Sequence, residues 1–139
     1  MSTVQIVIGT HGSFGEALVK SAEMIVGKMT QVEVVSLLPE MSLEDYMAKA
    51  SAALADKGDQ IITLVDLFGG TPSNVFSALS RKFHNHVITG LNLPMLIDLY
   101  LKISNGDDEK NLLELVEGCL TTLNESGVYT NDVLNNRES

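Results

Sequence analysis

The sequence is poor in basic residues. Nine Lys and Arg residues stand against eighteen Asp and Glu residues, so the formal net charge at neutral pH is −9. Contacts to the phosphates of a duplex or of an anionic membrane are made mainly by Lys and Arg, and such surfaces repel an acidic chain. The composition therefore argues against nucleic-acid binding. It does not argue against an acidic small molecule or a protein partner with a basic patch.

Cysteine and long apolar runs are also scarce. The single cysteine, Cys119, cannot form an intramolecular disulfide, which is typical of a reducing compartment. The first residues lack the basic region of a signal peptide, and no apolar run approaches the roughly 18 residues of a membrane-spanning helix. Yet 45% of the 139 residues are hydrophobic, enough for the core of one domain. We expect a cytoplasmic domain over residues 1–130 and a polar C-terminal tail over residues 131–139.

Short β-branched segments alternate along the chain with longer segments of helical periodicity. Strands are predicted at Val4–Ile8, Val32–Leu37, Gln60–Val65 and His86–Thr89. Helices are predicted at Phe14–Val26, Ser42–Lys57, Pro72–Phe83, Leu96–Ile103 and Asn111–Leu123. This alternation predicts an α/β fold: a three-layer, flavodoxin-like sandwich with a mainly parallel sheet of order 2-1-3-4 and helices on both faces.

Two of the predicted strands end in unusual loops. The first strand leads into Gly9-Thr10-His11-Gly12-Ser13, and the third leads into Asp66-Leu67-Phe68-Gly69-Gly70-Thr71-Pro72. In open α/β sheets, ligands bind beyond the carboxyl ends of the strands, where the strand order reverses. Because these two strands are neighbours in the predicted order, we expect His11 and Asp66 to lie close together.

This pair of side chains suits phosphoryl transfer. A neutral imidazole with one free nitrogen is a nucleophile toward phosphorus, and a carboxylate on the other nitrogen holds the required tautomer. Glycines let backbone N–H groups approach a phosphate, and two helix N-termini add favourable dipoles. The candidate phosphoryl-binding residues are Thr10, Gly12, Ser13, Gly69, Gly70 and Thr71, with Ser73 as a further hydroxyl donor.

Each loop taken alone also has a structural interpretation. A histidine in a glycine-rich loop can be incidental, Asp66 can order its loop, and Gly-Gly-Thr-Pro is also typical of a turn followed by a helix with Thr71 as N-cap. It is the convergence of the two loops that favours a phosphoryl site. His84 and His86 have suitable spacing for a metal but no third ligand nearby, which favours a solvated loop. We expect no metal and no cofactor.

Three motifs in order resemble one family. Ile8–Gly12, Val65–Asn74 and Gly90–Leu96 are similar, in sequence and spacing, to the IIA component of the mannose family of the bacterial phosphoenolpyruvate-dependent sugar phosphotransferase system (PTS). The resemblance covers roughly Val4 to Val128. It implies a phosphotransferase that carries a phosphoryl group on histidine from the small carrier HPr to the IIB component, while the membrane components IIC and IID import the sugar.

The resemblance also implies roles for individual residues. His11 corresponds to the phosphorylated histidine, with Nε2 as the expected attacking atom. Asp66 corresponds to the carboxylate on Nδ1–H, and Thr71 to a hydrogen-bond donor for the phosphoryl group. The family forms homodimers, in some members through a C-terminal strand, for which Ser126–Thr130 is the candidate segment for an added antiparallel strand. Since the sequence ends at Ser139, IIB is expected on a separate polypeptide, and association with the membrane transporter would be peripheral.

Two other functions compete with this interpretation. The phosphocarrier subunit of dihydroxyacetone kinase resembles the same fold and also carries a phosphohistidine, but its middle motif usually lacks the Gly-Gly-Thr-Pro run present here. A flavodoxin-like binding module would use the same end of the sheet, with a Ser/Thr-rich phosphate loop and flanking aromatic rings. This chain has Gly-Thr-His-Gly in that place and no tryptophan.

Overall fold

A computed structural model describes residues 3–106 and 111–138. Within these ranges the strands are β1 (Gln5–His11), β2 (Val32–Leu37), β3 (Ile61–Val65) and β4 (Asn85–Ile88). The helices are α1 (Phe14–Val26), α2 (Leu43–Ala55), α3 (Thr71–Phe83), α4 (Leu93–Ser104), α5 (Leu112–Glu125) and α6 (Thr130–Glu138).

The four strands form one parallel sheet in the order β2-β1-β3-β4, which confirms the predicted topology. Successive side chains of β1 point to opposite faces, so that each face has its own core. Ile6 and Ile8 pack in the cluster that α1, α4 and α5 cover. Val7 packs in the cluster that α2 and α3 cover. The predicted three layers are therefore present.

Strand β1 is longer than the sequence predicts and carries His11 as its last residue. The predicted strand ended at Ile8, but Thr10 and His11 pair with Ser36 and Leu37 of β2. Pairing with a neighbouring strand extends β1 through residues of low β-propensity, such as Gly9. The backbone of His11 is consequently held by the sheet rather than by a free loop.

Helices α3 and α4 begin earlier than predicted. Gly70, rather than Thr71, is the N-cap of α3: its backbone is extended and its carbonyl accepts a hydrogen bond from the Asn74 N–H at 2.9 Å. In α4, the side chain of Asn92 accepts a hydrogen bond from the Met95 N–H at 2.9 Å, so the helix begins at Leu93. A side-chain cap of this kind satisfies a first-turn donor that has no partner within the helix.

The C-terminal segment differs from the expectation. Ser126–Thr130 was the candidate for an added antiparallel strand, but no strand is found there, and the next element is α6. The carbonyl of Tyr129 accepts hydrogen bonds from the N–H groups of Asp132 and Val133, which begins a helical turn. The alternating apolar pattern of a half-buried strand is also missing from this polar stretch. Residues 131–138 of the predicted polar tail are thus helical, and the side chains of residues 131–136 are exposed.

Candidate functional site

His11 and Asp66 are in contact at the carboxyl end of the sheet. Nδ1 of His11 lies 2.9 Å from Oδ2 of Asp66, and the backbone N–H of His11 donates to the same oxygen, also at 2.9 Å. Because a carboxylate oxygen only accepts, Nδ1 carries the proton and the free lone pair of the neutral ring lies on Nε2. The side chain of Asp66 is 14% exposed and that of His11 is 48% exposed. A buried carboxylate thus holds a ring whose reactive edge is open.

The open edge of the ring faces the beginning of α3. A Cβ atom on Gly70 would lie 2.8 Å from Cε1 and 3.4 Å from Nε2 of His11. Among the residues that the structure describes, no group hydrogen-bonds to Nε2, and the backbone N–H groups of Thr71 and Ser73 have no partner. Free N–H groups and the positive end of a helix dipole form an anion-binding position. This position adjoins a nucleophilic nitrogen.

The glycines of the β3–α3 loop shape this position through their backbone. The N–H of Gly70 donates to the carbonyl of Leu67 at 3.2 Å and is thereby engaged within the loop. Gly69 has a φ of +83°, a conformation that favours glycine. Its carbonyl accepts from Nδ2 of Asn74 at 3.2 Å. These two glycines set the conformation of the loop and the space beside the ring, and their predicted phosphoryl-binding role stays a prediction.

The β1–α1 side contributes less to the open edge than the sequence predicts. Thr10 is fully buried, and its Oγ1 accepts a hydrogen bond from the N–H of Gly15 at 2.9 Å. Its hydroxyl therefore stabilises the first turn of α1 on the opposite face from His11, instead of facing Nε2. The N–H of Gly12 donates to the carbonyl of Leu37 at 2.8 Å. Ser13 is the exposed N-cap of α1, and its side chain makes no capping hydrogen bond.

Two aromatic side chains that the sequence analysis did not identify, Tyr46 and Phe76, pack against β1 at Gly9. A Cβ atom on Gly9 would lie 2.6 Å from Cε2 of Phe76 and 3.0 Å from the hydroxyl of Tyr46. The two rings meet edge to face, with centroids 6.2 Å apart. The hydroxyl of Tyr46 donates to the carbonyl of Val35 at 2.9 Å. Burial, and then the negative charge of Asp66, raise the pKa of Tyr46 far above its ordinary value. Because the predicted strand ended at Ile8, no signal in the sequence indicated that Gly9 lies inside a strand, where a glycine marks a close approach.

Exposed apolar side chains surround this end of the sheet. Phe68 is 83% exposed, and Phe14, Leu38 and Leu67 are exposed as well. Leu38 follows β2, Leu67 and Phe68 follow β3, and Phe14 begins α1 directly after β1, so that all four lie at the carboxyl ends of the strands. Exposed large apolar groups at one end of a domain are typical of a surface that contacts another protein.

The other sequence candidates lie away from this site. Leu91 and Leu96 of the third motif are buried, and the N–H of Leu91 donates to the carbonyl of Val65, so this motif packs. Cys119 is buried between α4 and α5, where burial and then Asp98 raise its pKa to about 12.

Over residues 3–106 and 111–138, no group of three or more His, Cys, Asp or Glu residues suits a metal ion. In the same ranges no helix has the length and hydropathy to span a membrane.

Comparisons with known proteins agree on one family. A family model, EIIA-man, described as the PTS system fructose IIA component, matches residues 5–117. The mannose-specific EIIAB component of the PTS of Escherichia coli K12 is 38% identical over 117 residues. This match covers 82% of the chain but only 35% of that longer protein, so the chain spans about a third of its relative. The fructose-specific EIIA component of Bacillus subtilis is 29% identical over 69% of the chain and 68% of its own length.

A solved structure supports the same conclusion. The phosphotransferase system component EIIA from Streptococcus agalactiae superimposes with a TM-score of 0.83 at 30% identity, over 93% of this chain and 98% of its own. The predicted resemblance, on three motifs, is therefore confirmed, and the flavodoxin-like order of the sheet is that of a PTS EIIA protein. The chain is a member of the EIIA-man family, the phosphotransferase components IIA of the bacterial sugar phosphotransferase system.

Proposed function

We propose that this protein is a phosphocarrier that accepts a phosphoryl group on Nε2 of His11 and passes it to another protein. The observation that carries the proposal is the 2.9 Å contact between Nδ1 and the buried carboxylate of Asp66, which leaves Nε2 unprotonated at an open edge. The donor is the phosphohistidine of HPr, and the acceptor is a histidine of the IIB component. The membrane components IIC and IID are reached only through IIB.

The transfer step is a displacement at phosphorus. The lone pair of Nε2 forms a new N–P bond as the P–N bond to the donor histidine breaks, and the donor ring leaves with the electron pair of that bond. The proton on Nδ1 stays in place throughout. As the phosphorylated ring gains positive charge, the carboxylate of Asp66, 2.9 Å from Nδ1, stabilises it. In the next step a histidine nitrogen of IIB attacks the phosphorus, and Nε2 of His11 leaves with the electron pair of the N–P bond.

The N-terminus of α3 is the proposed binding position for the phosphoryl oxygens. The N–H groups of Thr71 and Ser73 have no partner among the described residues, and the side chain of Thr71 is partly exposed. The charge of a transferring phosphoryl group is spread over its three equatorial oxygens, so that several donors are needed at once. Ser13, two residues after His11, offers an exposed hydroxyl. Thr10, in contrast, acts on the site only by holding α1.

The surroundings of the ring support protein partners. The exposed apolar side chains at this end of the sheet, Phe14, Leu38, Leu67 and Phe68, would be covered in a complex. With a net charge of −9, the chain attracts a partner whose docking face is basic. We further propose a cytoplasmic location and a homodimer, as family membership implies. The exposed Val128, Tyr129 and Leu134 are apolar groups that a second copy would bury.

The relay itself tests the proposal. The purified chain is incubated with phosphoenolpyruvate, Enzyme I and HPr, and the modified residue is mapped by mass spectrometry. One phosphoryl group, labile to acid and stable to base, is expected on His11. His84→Ala and His86→Ala are matched controls that remove the other two histidines and should leave labelling intact. An unlabelled wild-type chain, or a label retained by His11→Ala, would contradict the proposal.

A further inference from the structure

The two consecutive glycines before α3 are present for different physical reasons. Gly69 has a φ of +83°, and no atom lies within 4 Å of the position that a Cβ would take. Gly70 has φ and ψ angles of −76° and 168°, an extended conformation that any residue adopts. The backbone therefore accounts for glycine at position 69 but not at position 70.

The imidazole of His11 accounts for glycine at position 70. A Cβ there would lie 2.8 Å from Cε1 of His11, whereas non-bonded carbon atoms are at their optimum at about 3.5–4.0 Å. The same Cβ would lie 3.4 Å from Nε2. A methyl group on Gly70 would thus displace the ring and occupy space beside the nitrogen that is proposed to bear the phosphoryl group.

The ring has little freedom to avoid such a methyl group while keeping its contact with Asp66. Oδ2 of Asp66 accepts both from Nδ1 and from the backbone N–H of His11, which belongs to the last residue of β1. The carboxylate is mostly buried. If the ring moves away from position 70, the distance or the angle of the Nδ1 hydrogen bond changes.

We propose that Gly70 is a positioning residue for phosphoryl transfer, acting through His11. Its missing side chain lets the ring stand with Nδ1 on Asp66, and this orientation presents Nε2 to the incoming phosphorus. This role rests on the proposed function of His11. It requires neither a bond from Gly70 to the phosphoryl group nor a special backbone conformation at this position.

The test compares Gly70→Ala with Gly127→Ala, which adds the same methyl group between α5 and α6, where a Cβ meets no atom within 4 Å. Two quantities are measured in each purified chain: the single-turnover rate at saturating phospho-HPr, and the long-range nitrogen–proton NMR correlations of the His11 ring, which report its tautomer. In Gly70→Ala we expect a transfer rate lower by about 10- to 100-fold, as for a reacting group misplaced by a fraction of an ångström to about 1 Å. We also expect ring correlations that depart from those of the Nδ1–H form.

Gly127→Ala is expected to keep the wild-type ring correlations and to transfer close to the wild-type rate. A Gly70→Ala chain that matches Gly127→Ala in both measurements would overturn the inference. So would a slow Gly70→Ala chain whose ring correlations are those of the wild type. A wild-type chain that phospho-HPr does not label would instead refute the proposed function, while the NMR comparison still decides whether Gly70 positions the ring.

A double variant keeps the inference testable if Gly70→Ala folds poorly. When His11→Ala removes the ring, the added methyl group at position 70 loses its nearest neighbour. The drop in melting temperature that Gly70→Ala causes in the wild-type background should therefore disappear in the His11→Ala background. An equal drop in both backgrounds would show that the methyl group disturbs the loop itself, and this too would overturn the inference.

Discussion

Oδ2 of Asp66 lies 2.9 Å from both the backbone nitrogen and Nδ1 of His11. One carboxylate oxygen therefore fixes both the backbone of this residue at the end of β1 and the orientation of its ring. The second oxygen, Oδ1, is buried and has no hydrogen-bond partner among the described residues. In the part of the chain that the structure describes, the hydrogen bonds to this carboxylate come only from His11, on whose ring the proposed reaction creates positive charge.

Asp66→Asn is expected to fold like the wild type and to transfer phosphoryl groups more slowly, on the order of 10²-fold or more. The amide oxygen can still accept a hydrogen bond, but a neutral amide does not stabilise the imidazolium charge. The rate of phosphorylation by phospho-HPr measures the effect. Asp59→Asn, at an exposed position, is the matched control and should transfer normally. An unchanged rate in Asp66→Asn would remove this carboxylate from the mechanism.

Thr71→Ala and Thr71→Ser distinguish the contribution of the Thr71 hydroxyl from that of the backbone N–H groups at the N-terminus of α3. If the hydroxyl donates to the phosphoryl group, its loss in Thr71→Ala should slow transfer by about 10- to 100-fold, because hydrogen bonds to charged groups contribute about 1.5–3 kcal/mol. Thr71→Ser keeps the hydroxyl and should stay near the wild-type rate. Equal rates in all three chains would leave only backbone N–H groups as donors. Circular dichroism checks that α3 is retained.

Gly9→Ala is expected to destabilise the fold, because its Cβ would lie 2.6 Å from the ring of Phe76. Overpacking of this kind typically costs about 1–3 kcal/mol. The free energy of unfolding in urea measures the loss. Gly127→Ala is the matched control, since a Cβ there meets no atom within 4 Å. A Gly9→Ala chain as stable as Gly127→Ala would show that Tyr46 and Phe76 can move apart without cost.

Because the thiol of Cys119 is buried, we expect the free energy of unfolding to fall at alkaline pH. Burial raises the pKa of its thiol from 9.0 to about 12, so between these values the unfolded chain releases a proton that the folded chain retains. Because the unfolded state then binds fewer protons, the free energy of unfolding falls as pH rises. Between pH 8 and pH 10 the contribution of this thiol is about 1 kcal/mol. Tyr46, whose pKa is also raised, adds a similar effect above its ordinary value of about 10.

The control for this prediction is Cys119→Ala. The variant should be less stable than the wild type at neutral pH, since a small cavity remains, yet it should lose less stability between pH 8 and pH 10. Urea unfolding of both chains at the two pH values supplies the comparison. Parallel pH dependences would mean that the thiol ionises in the folded protein as readily as in the unfolded chain.

Local patterns were sufficient for the alternation of strands and helices. The predicted bounds of β2 coincide with those observed, and Ser42, where the second predicted helix begins, is the N-cap of α2 and accepts a hydrogen bond from the Asp45 N–H. These features depend on neighbours within a few residues, so that they are readable from the chain itself. The approach of His11 to Asp66 followed as well, because topological rules leave few orders for a parallel sheet.

What the amino-acid sequence determined by itself was the fold class, the strand order and the two residue types that meet at its carboxyl end. Only the tertiary structure decided the positions of individual groups. Pairing with β2 extends β1 to His11, the hydroxyl of Thr10 accepts a hydrogen bond from α1, and the ring of His11 leaves no space for a side chain at Gly70. The first and the last of these depend on contacts between residues far apart in the chain. Such contacts override local propensity because pairing and packing energies exceed the small differences in propensity among residues.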